Sequence, residues 1–500
     1  MTGRKILLLL ISMIILGTPA FAEKIPMFDG GVIGDPTLAD LTYEYEEMTF
    51  ITGAPIKLVG TVVVPEIPVG LDTYELAYTF TLANTAANAT VARTATYNVV
   101  KTENTDLRQT KLDITLSELT EAITIGGTTY TLGSYSFNKA ILEDNTAAVN
   151  YYSGNIIAKR KYYIGGGGTN VDNNGIIELE TTSDTLVGYN HYWGSSETQV
   201  LNTTFTQTDS TTNWAGSVLL EMSATQKKRF QYIPTDPQNI SFRGNYITTT
   251  NEENILQYNY NMPTTTGGIN DAVRVAGQSD MRLDKITDTD SMISPKITDI
   301  GGHWAMDTIY LLTSLEVLDT DVSVFGPNQP VSRLEFAKMV SKAISNTQPF
   351  TQTQLIRRDR NTDKQNLFLD VDITDPDLAY IEFAKEKRIM AGEGDFFMPD
   401  RTLRRSEAIT ILTNTLGLTH LAPAPPYTTS YVDDADIPNW AKDGIYMANE
   451  IGLVQGYQDG TIKPNNLVTR AEASAMIEQF IYHMKDNITY DYREQILNNR

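Results

Sequence analysis

Residues 431–481 read YVDDADIPNWAKDGIYMANEIGLVQGYQDGTIKPNNLVTRAEASAMIEQFI. This is a helix, a glycine-bounded turn at Gly456-Tyr457-Gln458-Asp459-Gly460, and a second helix. Asp433 stands where it can cap or face the first helix N-terminus. Trp440 opens that helix and is large enough to anchor a small core. Thr469-Arg470-Ala471-Glu472 forms a capping box. The Thr469 hydroxyl accepts the backbone N–H three residues on, and Glu472 reaches back to the first N–H. Losing such a cap costs ~1 kcal/mol. The box accounts for Thr469 and Glu472 but not for Arg470, whose charge faces the positive end of the helix dipole. Binding an anion would give that arginine a purpose.

The same grammar appears twice upstream. One segment runs from Ile297 as ITDIGGHWAMDTIYLLTSLEVL and resumes as FGPNQPVSRLEFAKMVSKAI; another starts at Phe368 as FLDVDITDPDLAYIEFAKEKRIM. Trp304, Ile309, Leu312 and Leu315 keep helical spacing, as do Leu334, Ala337, Val340, Ala343 and Ile344. Aligning Asp299, Asp370 and Asp433 also aligns Arg333, Arg405 and Arg470, at separations of 34, 35 and 37 residues. The arginines themselves are 72 and 65 residues apart, so the units are more regular than their connections. Pro327, Pro399 and Pro464 hold like places. Ser332 and Glu335 repeat the capping box, and Glu407 repeats its acid. Unit two departs from the pattern. Leu378 replaces the tryptophan, and Arg404 replaces the cap hydroxyl, which predicts a weaker helix start.

The aspartate opening, the Trp-Ala helix start, the Gly-Tyr-x-Asp-Gly turn and the Thr-Arg-Ala-Glu box resemble the S-layer homology family. The resemblance covers Ile297 to about Met484. It implies three helical units in a pseudo-threefold bundle. Such bundles hold surface proteins non-covalently to secondary cell-wall polysaccharide, often through pyruvylated sugars, with binding grooves between the units. By resemblance, Arg333, Arg405 and Arg470 pair with sugar carboxylate, a contact suited to the guanidinium fork. Asp299, Asp370, Asp433 and the backbone near Gly460 take sugar hydroxyls. The groove beside unit three is the strongest expectation, because unit three carries all four motifs. Core packing is the expected role of Trp304 and Trp440, with sugar stacking as the rival.

Upstream of the units the grammar is different. Strand-like runs recur at Ile56–Val64, Tyr74–Leu82, Ala92–Val100, Ile156–Tyr163 and Val218–Met222. Turn signals at Gly126-Gly127, Asn173-Asn174-Gly175 and Gly267-Gly268 separate them. An all-β, sandwich-like region is expected, ahead of the α-helical three-repeat bundle. Arg4, Lys5, the apolar run Ile6–Leu16 and Ala20-Phe21-Ala22 have the order of a secretory signal peptide. The expected divisions are a signal peptide at 1–22, a β domain at 23–164, and a second β domain, or a continuation of the first, at 165–285. A linker at 286–296 follows, overlapping a polar stretch Asp280–Pro295. Repeat one spans 297–345, a linker 346–366, repeat two 367–418, repeat three 431–484 and a tail 485–500.

The chain has 500 residues, 39 Lys+Arg and 61 Asp+Glu, for a net charge of −22. Such a charge disfavours nucleic acid as a partner. No cysteine is present, which excludes a thiolate nucleophile, an iron–sulfur cluster and a cysteine zinc site. The four histidines, His191, His303, His420 and His483, are far apart in sequence and include no HExxH pair, which leaves little material for a histidine-built metal or catalytic site. Asn170–Gly175 is read as a turn rather than a calcium loop, and Gly165–Gly168 as a turn rather than a phosphate loop. Arg357-Arg358-Asp359-Arg360 is read as a solvated cluster. Neither a cofactor nor a metal is expected, nor a membrane span once the signal is cleaved. With the signal-peptide order and the resemblance to the S-layer homology family, which implies a bacterial cell wall, the sequence reads as a secreted cell-wall protein without catalysis. Its β region is displayed outward as a structural element, with self-association in a surface layer. The alternative is an anchored carbohydrate-active enzyme or adhesin, which exposed Tyr192, Trp193 and Trp214 beside two carboxylates would favour.

Overall fold

The structure is a computed structural model that describes residues 31–37, 41–68, 70–165, 175–209, 213–233, 246–265, 269–345 and 368–488. The expected signal peptide, the Asn170–Asn174 turn, the Gly267-Gly268 turn, the linker at 346–366 with its arginine cluster, and the tail beyond 488 lie outside these residues.

Alternation builds the β region. In β4 (Thr73–Asn84), Tyr74, Leu76, Tyr78, Phe80 and Leu82 are buried, whereas Glu75, Ala77, Thr79 and Thr81 face solvent. β5 (Ala89–Asn104) pairs with it in register, Phe80 opposite Arg93 and Thr79 opposite Thr94. Before them come β1 (Gly31–Pro36), β2 (Thr42–Thr49) and β3 (Ile56–Val63). After them come β6 (Gln109–Ile125), β7 (Thr128–Asn145), β8 (Asn150–Ile164) and β9 (Ile176–His191). The series ends with β10 (Gly194–Thr208), β11 (Trp214–Tyr232), β12 (Tyr246–Thr264) and β13 (Asn270–Ser291). All thirteen form one antiparallel sheet in chain order. Gly126 and Gly127 make the two-residue turn between β6 and β7 with φ of +58° and +85°, a pair of angles that favours glycine.

The sheet curls on itself, so that β1 lies against β12 and β13, and Asn254 Nδ2 donates to Ile33 O at 3.2 Å. Its inner face is one apolar core in which Phe50 meets Phe205 and Tyr258. Charges inside are paired, as burial demands. Arg93 forks onto Glu47 at 2.8 and 3.0 Å and reaches Glu121 at 2.5 Å; Lys139 stands 3.6 Å from Glu197.

Two expectations change here. The all-β, antiparallel content is present, but the strands form a single sheet rather than two separately laddered ones. The ladder continues across the gap between β8 and β9, with Tyr163 opposite Ile176. The polar stretch from Asp280 to Ser291 is strand, not linker, because β12 supplies its ladder partners. The irregular crossing is 292–298.

Among the described residues six α-helices follow in pairs: α1 (Met306–Ser314) and α2 (Arg333–Ser345), α3 (Leu378–Glu386) and α4 (Arg405–Thr415), α5 (Asn439–Glu450) and α6 (Arg470–Tyr482). They share one core, with Phe336, Val340, Ile409, Leu412, Ile477 and Phe480 fully buried. That core also takes in Ala148, Val149, Tyr189 and Trp193 from the β region. The last carbonyls of a helix lack intrahelical partners. β-hairpin tips supply two of these partners: Trp193 Nε1 donates to Ala343 O at 2.7 Å, and Ala148 N to Thr415 O at 3.0 Å. Phe230 meets Tyr482, the last residue of α6, at 5.5 Å. The β region therefore docks on the C-terminal ends of the second helices.

Candidate functional site

The opposite ends of α2, α4 and α6 converge. Val331 N donates to Val468 O at 2.9 Å, Val468 N to Leu403 O at 3.0 Å, and Leu403 N to Val331 O at 3.1 Å. This triangle is closed and fully buried. Two residues on, the arginine N–H groups find carbonyls in a neighbouring unit: Arg333 N on Arg401 O, Arg405 N on Asn466 O, Arg470 N on Gln329 O.

The three arginine side chains follow the same cycle. Arg333 donates through Nε to Phe397 O and through Nη2 to Ala391 O, both at 2.8 Å. Arg405 Nη2 donates to Gln455 O at 3.1 Å. Arg470 Nη1 donates to Phe325 O at 2.8 Å and Gln329 Oε1 at 3.2 Å, and its Nη2 meets Glu335. Unit one thus reaches into unit two, two into three, and three into one. The purpose that the capping box left open has an intramolecular part, namely tying the units together. Burial, more than any charge nearby, holds Arg333 below the usual guanidinium range.

The three aspartates pin the same loops. Asp299 accepts from Phe325 N at 2.8 Å and Gly326 N at 2.7 Å; Asp370 from Phe397 N at 2.8 Å and Met398 N at 2.6 Å; Asp433 from Ile462 N at 2.9 Å and Lys463 N at 2.8 Å. The Phe325 N–H, with help from Gly326, holds the Asp299 carboxyl below its ordinary range. Gly460 has φ +77°, and its carbonyl accepts from Val432 N. The capping boxes close reciprocally at Ser332/Glu335 and Thr469/Glu472. In unit two only half of the box exists: Arg404 N donates to Glu407 Oε2 at 2.8 Å, and the Arg404 side chain, having no acceptor, returns nothing.

The expectation that Trp304 and Trp440 pack in the core is overturned. They are 66% and 59% exposed, whereas Ala305 and Ala441 beside them are buried. One step along a helix start turns the side chain by about a quarter turn, and alanine takes the inward place. The aromatic rings that do serve the junctions are Phe397 under Arg333 and Tyr457 under Arg405, at 5.2 and 5.0 Å. The Gly-Tyr-x-Asp-Gly motif was the signal for Tyr457. Arg470 and Glu335 also line a pocket of about 110 Å³ with Val317, Phe325, Lys338 and Met339. In the β region Trp193 and Trp214 are each 2% exposed and Tyr192 is half-buried, so these residues are core and docking groups rather than a cleft lining.

This chain carries S-layer homology domains: residues 296–337 and 430–474, which cover most of units one and three, match the S-layer homology domain model. Such domains mark cell-surface anchoring. Among similar proteins are the Exoglucanase XynX of Acetivibrio thermocellus, 29% identical over 37% of this chain and 16% of that protein, and the Surface layer protein of Brevibacillus choshinensis, 35% identical over 17% of this chain and 8% of that protein. A third is the Cellulosome-anchoring protein of Acetivibrio thermocellus, 31% identical over 18% of this chain and 20% of that protein. The chain spans a fifth or less of each relative's length. No helix among the described residues is long and apolar enough to cross a membrane.

Proposed function

We propose that the helical units, from 297 to 484, form a pseudo-threefold anchor for cell-wall polysaccharide, with the β region held outward as a structural surface element. The observation that carries this reading is the cycle of Arg333, Arg405 and Arg470 through the three junctions. It ties the three junctions together at one end of the second helices, while the β region occupies the other end. Arg401, Arg404 and Lys463 stand in the loops and helix start at the same end. Arg401 and Lys463 are offset by Glu407 and Asp459, so these groups would act on an anionic polymer as local contacts rather than as a positive field. Carboxylated sugars, pyruvylated ones included, suit the guanidinium groups, and Asp299, Asp370, Asp433 and the Gly460 loop would take hydroxyls. The exposed Trp304 and Trp440 are free to stack on sugar rings. Export through a cleaved signal at 1–22 and self-association in a surface layer belong to the same reading. The full chain should co-sediment with isolated cell-wall sacculi and lose that binding when the secondary polysaccharide is stripped. Equal sedimentation with stripped walls would contradict it. The names of enzyme relatives keep an anchored carbohydrate-active role as the alternative. Trp193 and Trp214 offer it no support.

A further inference from the structure

The three junctions are not equivalent, and the difference centres on Arg404. Its counterparts, Ser332 and Thr469, are hydroxyl caps that close their boxes. Arg404 leaves one helix donor without that acceptor, which weakens α4 at its start. Its guanidinium is directed across the junction of units two and three, where it lies 3.4 Å from the neutral Asn465 Oδ1. Among the described residues no carboxylate lies within ion-pair distance of it. By contrast, Arg470 is held by Glu335, and Arg401 by Glu407 and Glu393.

Two further cations share this junction. Arg405 and Lys463 both lie over the Tyr457 ring, at 5.0 and 4.1 Å. Arg405 is 8% exposed, yet its Nε has no hydrogen-bond partner, and its Nη1 reaches Glu472 only at 4.0 Å. A buried guanidinium donor without an acceptor is costly, and Arg405 is held here by Gln455 O and the Tyr457 ring. Lys463 is partly offset by Asp459 at 3.5 Å, and Glu472 is engaged by Tyr457 Oη at 2.8 Å. The junction therefore combines an exposed guanidinium without an acid, a buried one with a spare donor, and a ring between cations.

We propose that Arg404, retained at the expense of a helix cap, is a specificity-determining residue at the junction of units two and three, where its guanidinium meets a carboxylate on the wall polysaccharide. This rests on the anchoring reading above. The two roles pull in opposite directions under one substitution. Arg404→Ser restores the hydroxyl and should raise the unfolding temperature of the helical region by about 2–4 °C. It should weaken binding of the full chain to purified wall polysaccharide about tenfold. Arg404→Lys keeps the charge without the fork and should bind between the two. The loss caused by Arg404→Ser should shrink as salt is added, since an exposed charge contact is screened. It should also vanish on polysaccharide whose carboxyl groups have been reduced to alcohols. Arg404→Ser binding the native polymer as tightly as the wild type would overturn the proposal while leaving the anchor intact. An undiminished loss on the reduced polymer would overturn the carboxylate assignment. Wild-type protein that fails to bind the native polymer would remove the anchoring reading and this inference together.

Discussion

At the residue scale, a conspicuous side chain can have its partner far away in sequence. Arg333, Arg405 and Arg470 were legible as an unexplained repeat, because the capping box has no use for them. Their partners were not legible, because a backbone carbonyl carries no sequence signature. The opening aspartates are legible as candidate caps or sugar contacts; that each holds two loop N–H groups near thirty residues away is not. Arg333→Ala should leave the Phe397 and Ala391 carbonyls without donors and destabilise the helical region by about 3 kcal/mol, measured by denaturant unfolding. Arg333→Lys should recover only part of this, since an ammonium cannot reproduce the fork. Unchanged stability in both variants would show that the cycle is incidental.

At the element scale, alternation and helical spacing carried most of the reading. The runs at Tyr74, Ala92, Ile156 and Val218 fall within strands, the run at Ile56 passes the end of β3 by one residue, and the capping boxes mark the starts of α2 and α6. β13 escaped because Asp280–Ser291 is polar, and its order comes from β12 rather than from its own pattern. The tryptophans escaped because size alone does not decide which residue of a helix start faces inward. The loops pinned by aspartate give a pH expectation. Accepted N–H groups depress the Asp299 pKa in the folded state. Its contribution is therefore fully present above the unfolded value, near 4, and is lost as pH falls through the folded one. Asp299→Asn should flatten the acid limb of a stability–pH profile below about pH 4. A profile that stays parallel to wild type would contradict that role.

At the scale of the whole molecule, the order of the meander and the docking of the hairpin tips were beyond sequence reading, because both depend on long-range packing. Docking makes the anchor and the β region one body, with the arginine cycle and the β region at opposite ends of the same helices. His191 sits at this seam. Its Nδ1 accepts from Trp193 N at 3.2 Å, and burial, followed by the Lys228 charge, pulls its pKa to about 3. The unfolded chain therefore binds a proton that the folded chain refuses. Stability at the seam is full above about pH 6.5 and declines as pH falls toward the folded value. His191→Gln should remove that decline in thermal unfolding scans between these limits. Trp193→Ala should split a shared transition of the two regions into two. A single unsplit transition would mean that the tip does not couple them.

The most direct measurement is hydrogen–deuterium exchange on the full chain with and without purified wall polysaccharide. Slower exchange at 325–329, 397–401 and 455–466, with β1–β13 unchanged, is the expected result. Protection confined to the β strands while polymer is bound would contradict an anchor at the arginine cycle.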